Sequence, residues 1–295
     1  MVRLFRSHPP LMLFALLMTA LTLASVVGLV ADDRTLLGDP IWLKPFKFAV
    51  SLALYAVTLT WMLTFVTRFT RTARWAGTLI ALGGTVEMVI IVGQVVRGKQ
   101  SHFNVATPFD QALWNAMAGT IVTVWLMHLV ISLILVFTPF ADRVAGLAIR
   151  LGLFVALIGL ALGMFMPRNV PPGQDPAKGI LGSHVVGVPD GGPTMAVTGW
   201  ATDGGDLRIG HFVGIHALQV IPLIALLLAG RATTRLIWGV SIGYLGLTAL
   251  VTWQALRGQA LLRPDTATLL GALVVVGWTA GAVLVGLRRK QAVAA

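Results

Sequence analysis

Residues 11–30 read LMLFALLMTALTLASVVGLV, a run without a single charged side chain. At 1.5 Å per residue, a helix of this length covers about 30 Å, the thickness of a bilayer's hydrocarbon core. Seven further long apolar runs follow, at about 47–67, 75–96, 112–137, 146–166, 209–230, 236–256 and 267–287, with charged residues rare within them. Together they predict an all-α fold: a polytopic transmembrane bundle of eight helices with the lipid bilayer as its solvent. Open strands are excluded from the hydrocarbon, because lipid satisfies no backbone hydrogen bonds. Composition agrees. Hydrophobic residues make up 57% and charged residues 11% of the 295, against about 25% charged in a soluble domain. Arg3 and Arg6 before the first run resemble the start of a secretory signal. The run is too long for a signal core and no A-x-A site follows it, so it is read as a retained first helix.

The net charge of +11 does not imply nucleic acid. The Lys and Arg residues sit mainly in short caps between apolar runs, where they orient helices and meet anionic headgroups. One side carries Arg3 and Arg6; Arg68, Arg71 and Arg74; Arg143 and Arg150; Arg231 and Arg235; and Arg288, Arg289 and Lys290. The opposite loops are longer and hold nine of the eleven acids. The density of positive charge therefore places both termini in the cytoplasm of an inner-membrane protein. Trp42, Trp75, Trp114, Trp238 and Trp253 fall near helix ends, where interfacial anchors belong. The absence of cysteine excludes disulfides, thiolate metal sites, iron–sulfur clusters and cysteine nucleophiles. No P-loop, dinucleotide fingerprint or H-E-x-x-H motif is present.

The third run ends Gln94-Val-Val-Arg97-Gly98 and the seventh ends Gln254-Ala-Leu-Arg257-Gly258. The helices that follow open with Pro108-Phe-Asp110 and Pro264-Asp265. This repeat predicts a tandem duplication, residues 1–140 and 141–295, with four helices in each half. The second half includes a long outer loop, about 167–208, rich in Gly, Pro and Asp. Within it His184–Val188, Pro189–Gly192 and Pro193–Val197 read as a small hairpin. A loop of this length is either a lid or a connector.

Polar residues inside the runs mark the candidate site, because a buried charge in a bilayer costs at least about 2.5–3.5 kcal/mol and usually faces a partner or a wet cavity. Glu87 is the one acid within a run, with Gln94 two turns along the same face. Lys44, Lys47, Ser51, Tyr55 and Thr58 follow helical spacing and form a polar stripe on the second helix. Lys47 is a candidate partner for Glu87 or for an anionic ligand, with snorkelling to headgroups as the alternative. Arg97, His102 and Asn104 lie in a polar loop that ends at Asp110. His128 stands alone on the fourth helix. His211 and His216 open the sixth, five residues apart and so not an i,i+4 chelating pair, and Gln219 shares a face with His216. Lys47, Ser51, Gln94, Arg97, His102, Asn104, Asp110, His211 and His216 fall at one depth. That convergence predicts a polar cavity in the outer leaflet.

The segments Trp42-Leu-Lys44-Pro-Phe-Lys47-Phe, Arg97-Gly-Lys-Gln-Ser-His102-Phe-Asn104 and Gly205 to Gln219 resemble a group of uncharacterised bacterial multi-pass inner-membrane proteins, a likeness that lends no function. The plan of two four-helix halves also resembles haem A synthase, which implies haem held by histidines on matching helices. This chain departs from that pattern, with Lys47 on helix two and no histidine on helix eight. Three functions stay open at this level. The first is redox chemistry linked to haem b or a quinone, with His102, His128, His211 and His216 as haem or metal candidates. The second is small-molecule or ion transport using Glu87, with Lys47 and Arg97 for an anion. The third is a zinc-dependent membrane hydrolase built on His102, Asp110, His211 and His216.

Overall fold

The computed structural model describes residues 2–288. A short helix, α1 (Val2–Ser7), leads into eight long ones: α2 (Pro9–Ala31), α3 (Leu43–Leu63), α4 (Thr70–Arg97), α5 (Pro108–Val136), α6 (Arg143–Leu162), α7 (Leu207–Leu227), α8 (Thr234–Leu256) and α9 (Thr266–Arg288). All eight are long and apolar enough to cross a membrane, and they make an all-α polytopic bundle. Their starts follow local chemistry. Thr107, Asp142, Asp206 and Thr233 each accept a backbone N–H of the first turn of α5, α6, α7 and α8. His8 does the same for α2, and its other ring nitrogen reaches the Arg74 carbonyl at 2.9 Å. The helices run alternately between a basal end, which holds α1, and a distal end, which holds the longer connections.

In the first half α2 packs on α3, α3 on α4, α4 on α5 and α2 on α4. The second half repeats that set: α6 on α7, α7 on α8, α8 on α9 and α6 on α8. The halves meet through α3 against α7 and α5 against α6. The main core lies among α2–α5, where Leu11, Leu59, Met88, Ile131 and Leu135 are fully enclosed, and reaches α6 and α7 through Leu153 and Leu218. The tightest crossing joins α6 to α7. A Cβ on Gly159 would lie 2.3 Å from the Gly214 backbone, and one on Gly152 would lie 3.0 Å from the Ala217 carbonyl. Most of α9 faces outward, with Leu270, Leu273, Val274 and Val285 exposed, as a lipid-facing helix requires.

Residues 163–206 form an ordered cap over the distal end. The cap's Gly179 carbonyl accepts from Val105 and its Leu181 N–H donates to Phe103, stitching it to the α4–α5 connection. Thr194 donates to Asp39 at 2.5 Å on the α2–α3 connection. Leu207, Met166 and Phe103 share a small apolar core beneath the cap with Ala255.

Several expectations need correction. Helix α3 spans Leu43–Leu63, not 47–67. Pro45 fits its first turn, where no helical hydrogen bond is lost, while apolar Phe65 and Val66 lie in a turn. The expected 184–197 hairpin does not form. Val185–Val186 pairs with Gly205–Asp206, and Thr194 bridges Ala201. The partners are set by the Asp206 cap of α7, whose carboxylate also accepts from the Ala201 N–H. Trp75, Trp238 and Trp253 are exposed, but Trp114 turns inward onto Phe103 and His102. Arg289 and Lys290 lie outside the described residues.

Candidate functional site

Helix α3 carries its polar stripe into the middle of the bundle, and each residue meets a different element. Lys44 Nζ lies 3.1 Å from His102 Nδ1 on the α4–α5 connection. Lys47 donates to the Thr198 carbonyl of the cap at 2.5 Å. Ser51 Oγ lies 3.2 Å from His216 Nε2 on α7, and Tyr55 Oη lies 2.8 Å from His128 Nδ1 on α5. Thr58 returns its hydroxyl to its own helix, at the Leu54 carbonyl.

The first rung continues to Glu87. His102 Nε2 is 3.3 Å from Glu87 Oε1, so Lys44, His102 and Glu87 form one chain of ionisable groups. With Nδ1 accepting from the Lys44 ammonium, Nε2–H faces the carboxylate. Glu87 is 2% exposed, and neither carboxylate oxygen receives a well-directed hydrogen bond. Glu87 lies eleven residues before Gly98, about 16 Å along α4, so His102 reaches it only because the α4–α5 connection folds inward. Gly98 and Phe103 adopt the left-handed conformation, at φ +65° and +61°. For Phe103 that region is strained, and its ring is held between Trp114 and His184. Ser101, Phe103 and Asn104 are buried accordingly. Phe48, Phe103 and Trp114 surround the His102 ring at centroid distances of 5.8, 5.8 and 5.9 Å.

The remaining candidates fall into separate groups. Gln94 and Arg97 both donate to Asp110 Oδ1, at 2.9 and 2.6 Å, and Thr107 donates to Oδ2. This cluster ties the end of α4 to the start of α5. Asn104 closes its own loop through Gln100 and Ala106. His216 Nδ1 lies 3.3 Å from Gln219 Oε1, and His211 Nδ1 lies 2.8 Å from the Gly159 carbonyl. His128 Nε2 faces the Leu153 carbonyl at 3.3 Å. Lys47 therefore does not pair with Glu87, because the cap occupies its ammonium and Lys44 takes the inward position. The same Gln-x-x-Arg-Gly pattern recurs at the end of α8. There Arg257 pairs with Asp265 and Gly258 adopts φ +71°, while Gln254 turns to the Ala260 carbonyl.

Two features were not singled out from the sequence as site components. His184 packs edge-on against Phe103. Arg208 clamps the fully buried Asp206 and donates to the Gly199 carbonyl. The Asp-Leu-Arg opening of α7 carried a capping signal for Asp206, whereas nothing local in the sequence brings His184 to Phe103.

Burial pushes His102 and His184 below the ordinary histidine value of 6.5. The Lys44 ammonium lowers His102 further while Glu87 opposes it, and the Arg208 and Lys44 charges add to the lowering at His184. An unfolded chain takes up these protons at higher pH than the folded one. The stability the two groups contribute is therefore complete above about pH 6.5 and lost as pH falls through the lower folded values. A thermal-unfolding series in detergent should show a flat midpoint above neutrality and a decline below it, with a shallower decline in His102→Gln.

Three of the four histidine candidates do not fit axial haem ligation as they stand, while His211 has a partner at Nδ1 alone. Both ring nitrogens of His102, His128 and His216 face protein partners. Among the described residues, no three His, Asp or Glu side chains gather as metal ligands, and Asp110 is committed to Gln94, Arg97 and Thr107. No family model matches the chain, and no curated protein or solved structure is significantly similar to it. Fold and composition define the class: an integral membrane protein of the multi-pass helical kind.

Proposed function

We propose that the protein handles a small polar or anionic molecule at the outer face of an inner membrane, coupled to proton movement through Lys44, His102 and Glu87. The observation that carries this reading is the continuous contact from Lys44 through His102 to a carboxylate buried within α4. A carboxylate held among apolar helices without directed donors is costly unless its charge is balanced or neutralised by a proton. His102 is placed to carry that proton, because imidazole both accepts and donates. Lys44 and Lys47 supply positive charge beneath the cap, which suits an anionic substrate. Both termini then lie in the cytoplasm, as the basic basal connections suggest.

Duplication accounts for the matched helix packing of the halves and for the paired Arg97–Asp110 and Arg257–Asp265 clusters. In the register of those clusters, Leu247 stands where the first half has Glu87. The proton-handling half is then the first, with the second as its scaffold.

Proteoliposomes containing the full chain and an internal pH dye test this reading. Addition of small organic anions outside should drive proton flux, and Glu87→Gln should lower that flux about a hundredfold, the scale of lost acid–base function. Equal flux in the two proteins overturns it. The aromatic enclosure of His102 by Phe48, Phe103 and Trp114 favours quinone binding as a second reading. Redox-linked absorbance changes on adding a quinone, lost in His102→Ala, would select that alternative.

A further inference from the structure

We propose that the basal end carries a specific site for an anionic phospholipid, with the headgroup phosphate held by Arg71 and Arg74. A cavity of about 310 Å³ opens between α1, the end of α3 and the start of α4, lined by Ser7, Leu63, Val66, Thr70, Arg71 and Arg74. A second hollow of about 270 Å³ shares both arginines and continues to Trp75 and Thr78.

The charges here are unbalanced. At the distal end Arg34, Arg97, Arg208 and Arg257 each pair with an aspartate. Among the described residues, neither Arg71 nor Arg74 has a salt bridge. Asp142 is the one acid in the basal connections, and it is spent capping α6. By contrast, Arg150 lies at the same end but spends its guanidinium on the Leu135 and Thr138 carbonyls and the Phe140 ring. Helix α4 begins at the cavity without a side-chain cap, so its first-turn N–H groups add to the positive potential.

Geometry selects a lipid over a free anion. The cavity has an apolar wall at Leu63 and Val66, which phosphate alone would not use. From Trp75, 68% exposed, the outward face of α4 continues through exposed Leu79, Leu82 and Val86. These positions recur at helical spacing and give an acyl chain a track along the membrane normal. Guanidinium groups suit phosphate because they donate in a fixed fork, and Trp75 suits the headgroup level.

Native mass spectrometry of the full-length protein tests the site. Delipidated protein is exchanged into nanodiscs of phosphatidylcholine with a minor fraction of phosphatidylglycerol, and the lipids that remain bound are counted. The wild type should retain phosphatidylglycerol selectively. Arg71→Gln/Arg74→Gln should retain about tenfold less, the scale of losing two partly exposed ionic contacts. Arg231→Gln/Arg235→Gln, at the same end, should retain it unchanged. Equal retention of the two lipids by the wild type, or undiminished retention by Arg71→Gln/Arg74→Gln, overturns the proposal. If that double variant does not fold, the wild type alone decides. Its thermal midpoint should rise more with phosphatidylglycerol than with phosphatidylcholine or inorganic phosphate, and an equal rise with inorganic phosphate identifies a site for a free anion instead.

Discussion

Gly159→Ala is expected to destabilise the protein by about 3 kcal/mol, the upper end of the usual cost of overpacking. The new methyl would lie 2.3 Å from the backbone of Gly214 and Ile215 on α7. A flexible side chain could yield at that distance, but two backbones cannot, so α6 and α7 must separate. The effect also reaches the distal chemistry. The Gly159 carbonyl is the partner of His211, and α7 carries His216 to Ser51. A chemical-denaturation or thermal series in detergent checks the stability loss. Gly119→Ala, where a Cβ would meet nothing within 4 Å, serves as the control and should leave the midpoint nearly unchanged.

Asp110→Ala is expected to cost about 1–3 kcal/mol, because removing the buried acceptor leaves the buried Gln94 amide without a partner and the exposed Arg97 unpaired. Asp110 is 3% exposed and serves Gln94, Arg97 and Thr107 together. Asp265, which meets Arg257 beyond the end of α8, is 37% exposed and salt-bridges only Arg257. Asp265→Ala should therefore lower the unfolding midpoint much less. Equal losses in the two variants would mean that burial does not set the strength of these clusters.

The eight helices were legible because a bilayer demands apolar runs of a fixed length, a constraint that few local accidents can hide. Their edges were less so at α3, where the apolar run pointed to 47–67 although the helix spans Leu43–Leu63 with Pro45 in its first turn. The site was legible in part. Helical spacing placed Lys44 to Tyr55 on one face, and the isolation of Glu87 marked it as needing a partner. The identity of that partner was hidden, because it depends on a connection folding inward. Polar loop residues such as Ser101 and Asn104 give no sign of burial in their types alone. His184 was obscured for a similar reason: it belongs to the opposite half of the chain and arrives only through the cap's pairing with residues 103–105. Equal depth also did not mean adjacency, since Asp110 and His211 serve different helix junctions.

The four rungs of α3 have a mechanical consequence. One rigid helix face touches the inward loop, the cap, α7 and α5 in succession. A turn of that helix about its own axis would release all four contacts in one motion, and a slide along its axis would misregister all four by the same amount. Helix α3 is thus the camshaft of the molecule: a shift that frees Lys47 from the cap frees Lys44 from His102 at the same time.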